Sequence, residues 1–205
     1  MLRHGRERLE GFEILPQRAL DSVTTHIAGT RPPLDTEHRW HALMEFVQDD
    51  STQMSPAELA THLLEKAMGK NLLSNATIAS SDAQAEAFWK IRDSIAEAER
   101  AAGPALQHDI SVPVSAMARF IEDESPVIEK TYPGTKTLAF GHLGDGNIHF
   151  HVKAPDGIDM TSWYAGDGKA ITSHVYDRVR AYGGSLSAEH GIGQAKIAEF
   201  ERLTE

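Results

Sequence analysis

One stretch, GHLGDGNIHFHV at residues 141–152, constrains the fold of this chain more than any other part of its sequence. Asp-Gly flanked by alternating apolar residues is among the strongest short signals for a β-hairpin. With Asp145 and Gly146 at the centre of a two-residue turn, His142 lies directly opposite His149. Side chains opposed in this way share one side of the sheet, with Cβ atoms about 4.5–5.5 Å apart. The sequence therefore predicts a hairpin that presents a pair of imidazoles at a chelating separation.

The same alternation assigns the other residues of the hairpin to faces. The apolar residues Leu143, Ile148, Phe150 and Val152 fall on the face opposite the histidines, where they can join a core. His151 follows His149 by two positions and so joins the histidine face. A lone histidine on a half-buried strand is more often structural, but a pair on an otherwise apolar hairpin favours a metal or catalytic site.

Composition excludes several classes of function. The chain has 205 residues and a formal net charge of −10, which disfavours binding to nucleic acid or to an anionic membrane. It contains no apolar run of about 18 residues and no apolar signal-peptide core at its start, which predicts a cytoplasmic protein without a transmembrane segment. Because the chain has no cysteine, any metal must be held by nitrogen and oxygen ligands.

A second motif supplies a carboxylate. The stretch GGSLSAEHGIG at residues 183–193 carries Glu189 beside His190, between glycines that allow tight turns. In extended backbone these two neighbours point apart, so that Glu189 can bind an ion while His190 approaches the substrate from another side. A pair of histidines with one carboxylate suits zinc with an open position, manganese, or a non-haem iron triad. The ligand set leaves these metals open.

The whole chain has the pattern of an α+β domain, with helices packed on a mainly antiparallel sheet. Proline at the first helical position and serine or aspartate caps mark several helix starts. The predicted helices cover residues 16–27, 56–68, 82–102, 113–131 and 162–182. The predicted strands cover residues 38–47, 72–78, 108–112, 135–142 and 147–153.

Taken together, the motifs resemble a known family. GHLGDGNIH followed about forty residues later by SAEHGIG, with LEGFEIL, FWKIRDSI and QHDISVP before them, is similar to the C-terminal domain of FAD-linked oxidases related to vanillyl-alcohol oxidase. The resemblance is to the D-2-hydroxyacid dehydrogenase branch, which includes D-lactate dehydrogenase, D-2-hydroxyglutarate dehydrogenase and the glycolate oxidase flavoprotein subunit. It implies a ferredoxin-like substrate domain over residues 1–205, which acts with a separate FAD-binding domain.

The resemblance also implies roles for individual residues. His142, His149 and Glu189 would hold a divalent metal, zinc or manganese, and the metal would bind a small 2-hydroxy acid. His190 would take the hydroxyl proton while the C2 hydride passes to FAD. The electron acceptor is left undetermined by the sequence, and a homodimer is kept as a candidate assembly.

Substrate specificity depends on other positions. Arg92 stands where the family can pair the substrate carboxylate, and His151 is also expected to contact substrate. His151, Gln107 and Ala96 stand where relatives acting on 2-hydroxyglutarate tend to carry Asn, Lys and a hydroxyl residue, respectively. These departures favour a monocarboxylic acid such as lactate or glycolate.

Other interpretations are kept open. The chain is expected to be a fragment that lacks its flavin-binding half and is inactive alone, with the full-length protein soluble or peripheral to a membrane. One alternative is a stand-alone module that binds a metal or hydroxy acid without catalysis. Another is a non-haem iron oxygenase or metallohydrolase, which would need no flavin.

Overall fold

The structure, a computed structural model, describes residues 8–49, 53–194 and 196–204, and the chain divides into two compact units, Met1–Ile95 and Ala96–Glu205. In the first unit, β1 (Leu9–Pro16) pairs antiparallel with β2 (Trp40–Phe46). The helices of this unit are α1 (Gln17–His26), α2 (Pro56–Met68) and α3 (Asp82–Asp93).

The predicted helix caps in the first unit are confirmed. Ser55 Oγ accepts a hydrogen bond from the Glu58 N–H, and the Glu58 carboxylate accepts one from the Ser55 N–H at 2.8 Å, which forms a complete capping box at α2. Ser81 Oγ likewise accepts from the Gln84 N–H at the start of α3. These local side-chain bonds satisfy N–H groups that a helix leaves unpaired, so sequence alone locates both starts.

Two predictions in this part of the chain are wrong. Residues 72–78 form no strand, because the Asn75 side chain bonds the Ala76 N–H at 2.8 Å and Thr36 Oγ1 at 3.0 Å instead of leaving the backbone to a ladder. The single helix predicted over 82–102 is divided at Ser94 into α3 and α4 (Ile95–Ala102).

The second unit contains three antiparallel strands in the order β4-β5-β3. They are β3 (Ala105–Ser111), β4 (Lys136–His142) and β5 (Asn147–Lys153). Its remaining helices are α5 (Met117–Thr131), α6 (Met160–Trp163), α7 (Lys169–Ala181) and α8 (Ile197–Thr204), with a π-helical turn at Tyr164–Gly168 between α6 and α7. The predicted α+β class, with antiparallel strands and helices packed on them, is confirmed.

The apolar face of β5 forms the centre of the core in the second unit. Ile148, Phe150 and Val152 are completely buried, and the ring of Phe150 meets that of Phe120 from α5 edge to face at 5.8 Å. Burying each of these side chains contributes about 1.5–3 kcal/mol through the removal of apolar surface from water. The predicted assignment of the two faces of this strand is therefore confirmed.

The predicted register of the β4–β5 hairpin is wrong by two residues. His142 pairs with Asn147, and His149 pairs with Phe140. The turn has four residues rather than two, because Asp145 Oδ1 accepts from the Asn147 N–H at 2.9 Å and the Gly146 N–H donates to the His142 carbonyl at 3.1 Å. Since the shift is an even number of residues, the side chains of the two strands stay on their predicted faces. Leu143, predicted on the apolar face, instead lies in the turn and is only partly buried.

No helix within residues 8–49, 53–194 and 196–204 is both long enough and apolar enough to cross a bilayer.

Gly146 provides a test of the turn. It has φ +84°, and a Cβ there would lie 2.0 Å from the Val112 carbonyl oxygen, whereas Gly144 has open space around it. We expect Gly146→Ala to lower the free energy of unfolding by at least about 2 kcal/mol, and Gly144→Ala to change it by less than about 0.5 kcal/mol. Urea denaturation of both variants measures this, and equal losses would contradict the turn geometry.

His108 provides a test of pH dependence. The ring is buried, with Nδ1 donating to the Phe150 carbonyl at 2.9 Å and Nε2 accepting from the Thr172 hydroxyl at 3.1 Å. Burial lowers the pKa of His108 to about 4, against the opposing effect of the Phe150 hydrogen bond and with help from nearby Lys196. In the unfolded chain His108 binds a proton near pH 6.5, whereas in the folded protein it stays neutral down to about pH 4. The stability that the neutral, buried ring contributes is therefore present above pH 6.5 and is lost as the pH falls towards 4.

We expect the protonation of His108 to lower the free energy of unfolding by roughly 3 kcal/mol over that pH range. The measurement is urea denaturation at several pH values between 7.5 and 4.5. His108→Gln keeps a donor and an acceptor but does not titrate, so its stability should fall less steeply with decreasing pH. Identical slopes for the two proteins would show that His108 is not the source.

Candidate metal centre

The β4–β5 hairpin brings the first pair of predicted ligands together. His142 ends β4 and His149 lies on β5, and their ring centroids are 5.6 Å apart at an interplanar angle of 72°. They are diagonal neighbours across the ladder rather than directly opposed, but they remain on one face. The Phe140 ring lies 4.9 Å from that of His149 and restricts its position.

Glu189 lies on a segment that is hydrogen-bonded to the end of β3. The Ser111 N–H donates to the Ser185 carbonyl at 3.0 Å, and the Ser185 N–H donates back to the Ser111 carbonyl at 2.9 Å. A Cβ on Gly184 would lie 2.1 Å from the Ser111 oxygen, so only glycine permits this approach. The chain then bends through Glu189 and places its carboxylate against the histidines.

The three predicted ligands converge. Glu189 Oε1 lies 3.3 Å from His142 Nε2, and Glu189 Oε2 lies 4.0 Å from His149 Nε2. All three donor groups offer ligand atoms within 4.8 Å of one another. Zinc bonds of about 2.0–2.2 Å imply ligand atoms about 3.4 Å apart, so the donors fit a divalent cation after small rotations. The Glu189 side chain is half exposed, which leaves room for a further ligand.

Sequence reasoning missed Asp109. This buried residue of β3 lies directly opposite His149, and its Oδ2 accepts hydrogen bonds from the N–H groups of Glu189 at 2.9 Å and His190 at 3.0 Å. Burial would raise the pKa of Asp109, but the N–H donors and the neighbouring His149 and His190 outweigh it and hold the pKa below its ordinary value. The alternation of QHDIS is a signal for a strand, but only the β3–β5 pairing shows which residue Asp109 faces.

His190 does not point away from Glu189 as expected. Residues 188–190 are bent rather than extended, and a His190 nitrogen lies within 4.8 Å of ligand atoms of Glu189 and Asp109. Lys196 holds the same segment, since its Nζ donates to the Asp109 carbonyl at 3.2 Å and to the Leu186 carbonyl at 2.9 Å. His190 is exposed and next to the candidate ligands.

His151 lies on the histidine face of β5 but is only 5% exposed. Burial, with contributions from His149 and His108, lowers its pKa to about 4, so that the ring is neutral at pH 7. Its Nδ1 has no hydrogen-bond partner among the described residues, and the ring edge packs against Phe140 at 5.2 Å. Its predicted contact with substrate stays a prediction.

Arg92 belongs to the first unit, on α3. Its Nε donates to Glu13 Oε2 at 2.8 Å, and both side chains are largely buried. Arg92 also borders a groove of about 770 Å³ within this unit, together with Trp40, Leu43 and Trp89. Its predicted role in binding a substrate carboxylate stays a prediction.

Comparisons with known proteins show which proteins this chain is similar to. A D-2-hydroxyglutarate dehydrogenase of Xanthomonas citri is 35% identical over 92% of this chain and 39% of its own length. A mitochondrial D-2-hydroxyglutarate dehydrogenase of Arabidopsis thaliana is 32% identical over 95% of the chain and 33% of its own length. A D-2-hydroxyglutarate dehydrogenase of Stutzerimonas stutzeri is 31% identical over 92% of the chain and 39% of its own length. The chain therefore spans between a third and two fifths of the length of these relatives.

The family model for the C-terminal domain of FAD linked oxidases matches residues 1–204, which is nearly the whole chain. The regions matched include both the β4–β5 hairpin and the segment that carries Glu189. The chain belongs to the family of FAD-linked oxidase C-terminal domains.

Proposed function

We propose that this chain is the substrate- and metal-binding domain of a flavin-dependent D-2-hydroxyacid dehydrogenase, which oxidises a 2-hydroxy acid to the 2-oxo acid. The observation that carries the proposal is the convergence of His142, His149 and Glu189 from separate segments of the second unit. The names of the relatives and the family match support the same chemistry. In this proposal the domain works with an FAD-binding domain.

The donor set is proposed to hold zinc or manganese through His142 Nε2, His149 Nε2 and the Glu189 carboxylate. When bound, the ion would lower the pKa of the substrate hydroxyl and FAD would accept the hydride from C2. The two imidazoles are neutral ligands and Glu189 contributes one negative charge, so the set leaves positive charge to attract a carboxylate substrate. The Glu189 side chain is about half exposed, so a substrate could reach the proposed ion from solvent beside this residue.

His190 is proposed as the general base that receives the hydroxyl proton. Histidine is the most common side chain for this task near neutral pH. The exposed imidazole lies beside the Glu189 carboxylate, and its backbone N–H is held by Asp109 at 3.0 Å. A base must be close to the reacting hydroxyl, and the bend at residues 188–190 keeps His190 beside Glu189, a proposed ligand of the ion that would bind this hydroxyl.

The substrate is proposed to be monocarboxylic, as lactate and glycolate are. Gln107 lies directly opposite His151 across β3 and β5, so two of the three positions that depart from the 2-hydroxyglutarate pattern are neighbours. Gln107 has no charge and His151 is neutral near pH 7, so this pair offers no cation to a second carboxylate. Because the relatives named above are D-2-hydroxyglutarate dehydrogenases, the two substrate classes need direct comparison.

Metal content of the purified chain tests the site. We expect about one zinc or manganese per chain after metal exposure and dialysis, and a loss of at least about 100-fold in affinity for His142→Ala and Glu189→Ala. Elemental analysis and titration measure this. The exposed residues His62 and Glu86 provide matched controls, and His62→Ala and Glu86→Ala should bind as the parent does. Absence of metal from the chain, shown to be folded by circular dichroism, would overturn the metal proposal.

Steady-state kinetics test the reaction in the protein that joins this domain to its FAD-binding domain. We expect His190→Asn to lower kcat by about 10²–10⁴-fold with unchanged metal content, because only the proton acceptor is lost. His62→Asn serves as the control. We expect kcat/KM to be higher for D-lactate or glycolate than for D-2-hydroxyglutarate. The reverse order would overturn the substrate assignment, and full activity of His190→Asn would overturn the role of His190.

A further inference from the structure

The Asp109 carboxylate joins three segments of the second unit. Its own strand, β3, lies beside β5, and Asp109 is directly opposite His149. Oδ2 accepts hydrogen bonds from two successive N–H groups, those of Glu189 and His190. One side chain therefore contacts a candidate ligand on a strand and the backbone of another candidate ligand on a loop.

The second oxygen of this carboxylate lacks a hydrogen bond. Asp109 Oδ1 is buried and accepts none from any described residue. A buried, charged oxygen without a hydrogen-bond donor is unfavourable, so this oxygen should attract and hold a donor that lies close to it. His149 Nδ1 lies 3.7 Å from Oδ1, a few tenths of an ångström beyond hydrogen-bond distance.

The two nitrogens of His149 face different carboxylates. Nδ1 faces Asp109, while Nε2 faces Glu189 Oε2 at 4.0 Å. An imidazole that binds a metal through Nε2 carries its proton on Nδ1, and a carboxylate beside Nδ1 fixes that tautomer and the ring orientation. The arrangement on β3 and β5 has this geometry.

We propose that Asp109 is a positioning residue of the metal site. It holds His149 in the tautomer whose Nε2 lone pair is directed at the ion, and it fixes the Glu189 carboxylate through the Glu189 N–H. This inference rests on the proposed metal site. Asp109 acts through its neighbours rather than as a ligand, because Oδ2 is already engaged by two N–H groups and the side chain is buried in the sheet.

Lys196 attaches the loop to β3 independently of the Asp109 side chain. Its Nζ donates to the Asp109 carbonyl and to the Leu186 carbonyl, so the loop keeps a tether that does not involve the Asp109 side chain. Removal of the side chain should therefore loosen Glu189 and His190 locally without releasing the loop. The chain should remain folded in variants at position 109.

A pair of variants distinguishes the two functions proposed for Asp109, which are to orient the His149 ring and to hold the loop that carries Glu189. Asp109→Asn keeps an oxygen that accepts from the loop N–H groups, but it turns an NH₂ group towards His149 Nδ1, which favours the tautomer protonated on Nε2. Asp109→Ala removes both interactions. The control is Asp156→Asn, because Asp156 is a highly exposed carboxylate paired only to the nearby Lys153 among the described residues.

Three measurements on the 205-residue chain test the proposal. They are the imidazole ¹⁵N chemical shifts of His149, amide hydrogen exchange of Glu189 and His190, and titration with zinc. In Asp109→Asn we expect the His149 proton to move to Nε2, zinc affinity to fall by about 10–100-fold, and amide protection to be retained. In Asp109→Ala we expect protection to be lost as well. Asp156→Asn should match the parent in all three.

The outcomes separate this inference from the proposed function. An Asp109→Asn chain with the parent's His149 tautomer and zinc affinity would overturn the role of Asp109 while the metal site stands. A parent chain that is folded but binds no zinc would overturn the metal site itself. In that case the inference falls with it, and the tautomer and exchange data show whether Asp109 still orders His149 and the loop.

Discussion

Pairing of β5 on both of its edges is the constraint on which the second unit depends. β3 and β4 each pair with it over its full length, so its residues define which positions of the neighbouring strands are buried. Complete burial of Ile148, Phe150 and Val152 stabilises this arrangement, and the alternate positions then necessarily share the opposite face. The two histidines of the candidate site and Asp109 are brought together because a core must form behind them.

Placing histidines beside a core has an electrostatic cost. His108 and His151 are buried, and each has a pKa lowered to about 4, so both remain neutral at pH 7. His108 recovers part of the cost through hydrogen bonds at both nitrogens, whereas His151 keeps an unpaired Nδ1 among the described residues. The candidate ligands His142 and His149 are more exposed than either, which is consistent with a site that exchanges ligands with solvent.

Much of the fold and the set of candidate ligands could be predicted from sequence, because they follow from local rules. Strand alternation assigned His142 and His149 to one face, and caps located α2 and α3. The exact hairpin register could not be predicted, since the Asp145 side chain bonds the Asn147 N–H and lengthens the turn. Asp109 was missed because its significance comes from strand pairing 40 residues apart in sequence, which no local pattern encodes.

The even shift in the β4–β5 register has a consequence for how this hairpin can vary. A turn of four residues and one of two both keep the histidines on the face opposite Phe150, because side chains alternate with a period of two. A pairing of β4 with β5 shifted by one residue would instead put His142 on the same face as Phe150, opposite His149. The two candidate ligands therefore stay together for any length of turn that keeps His142 paired with Asn147.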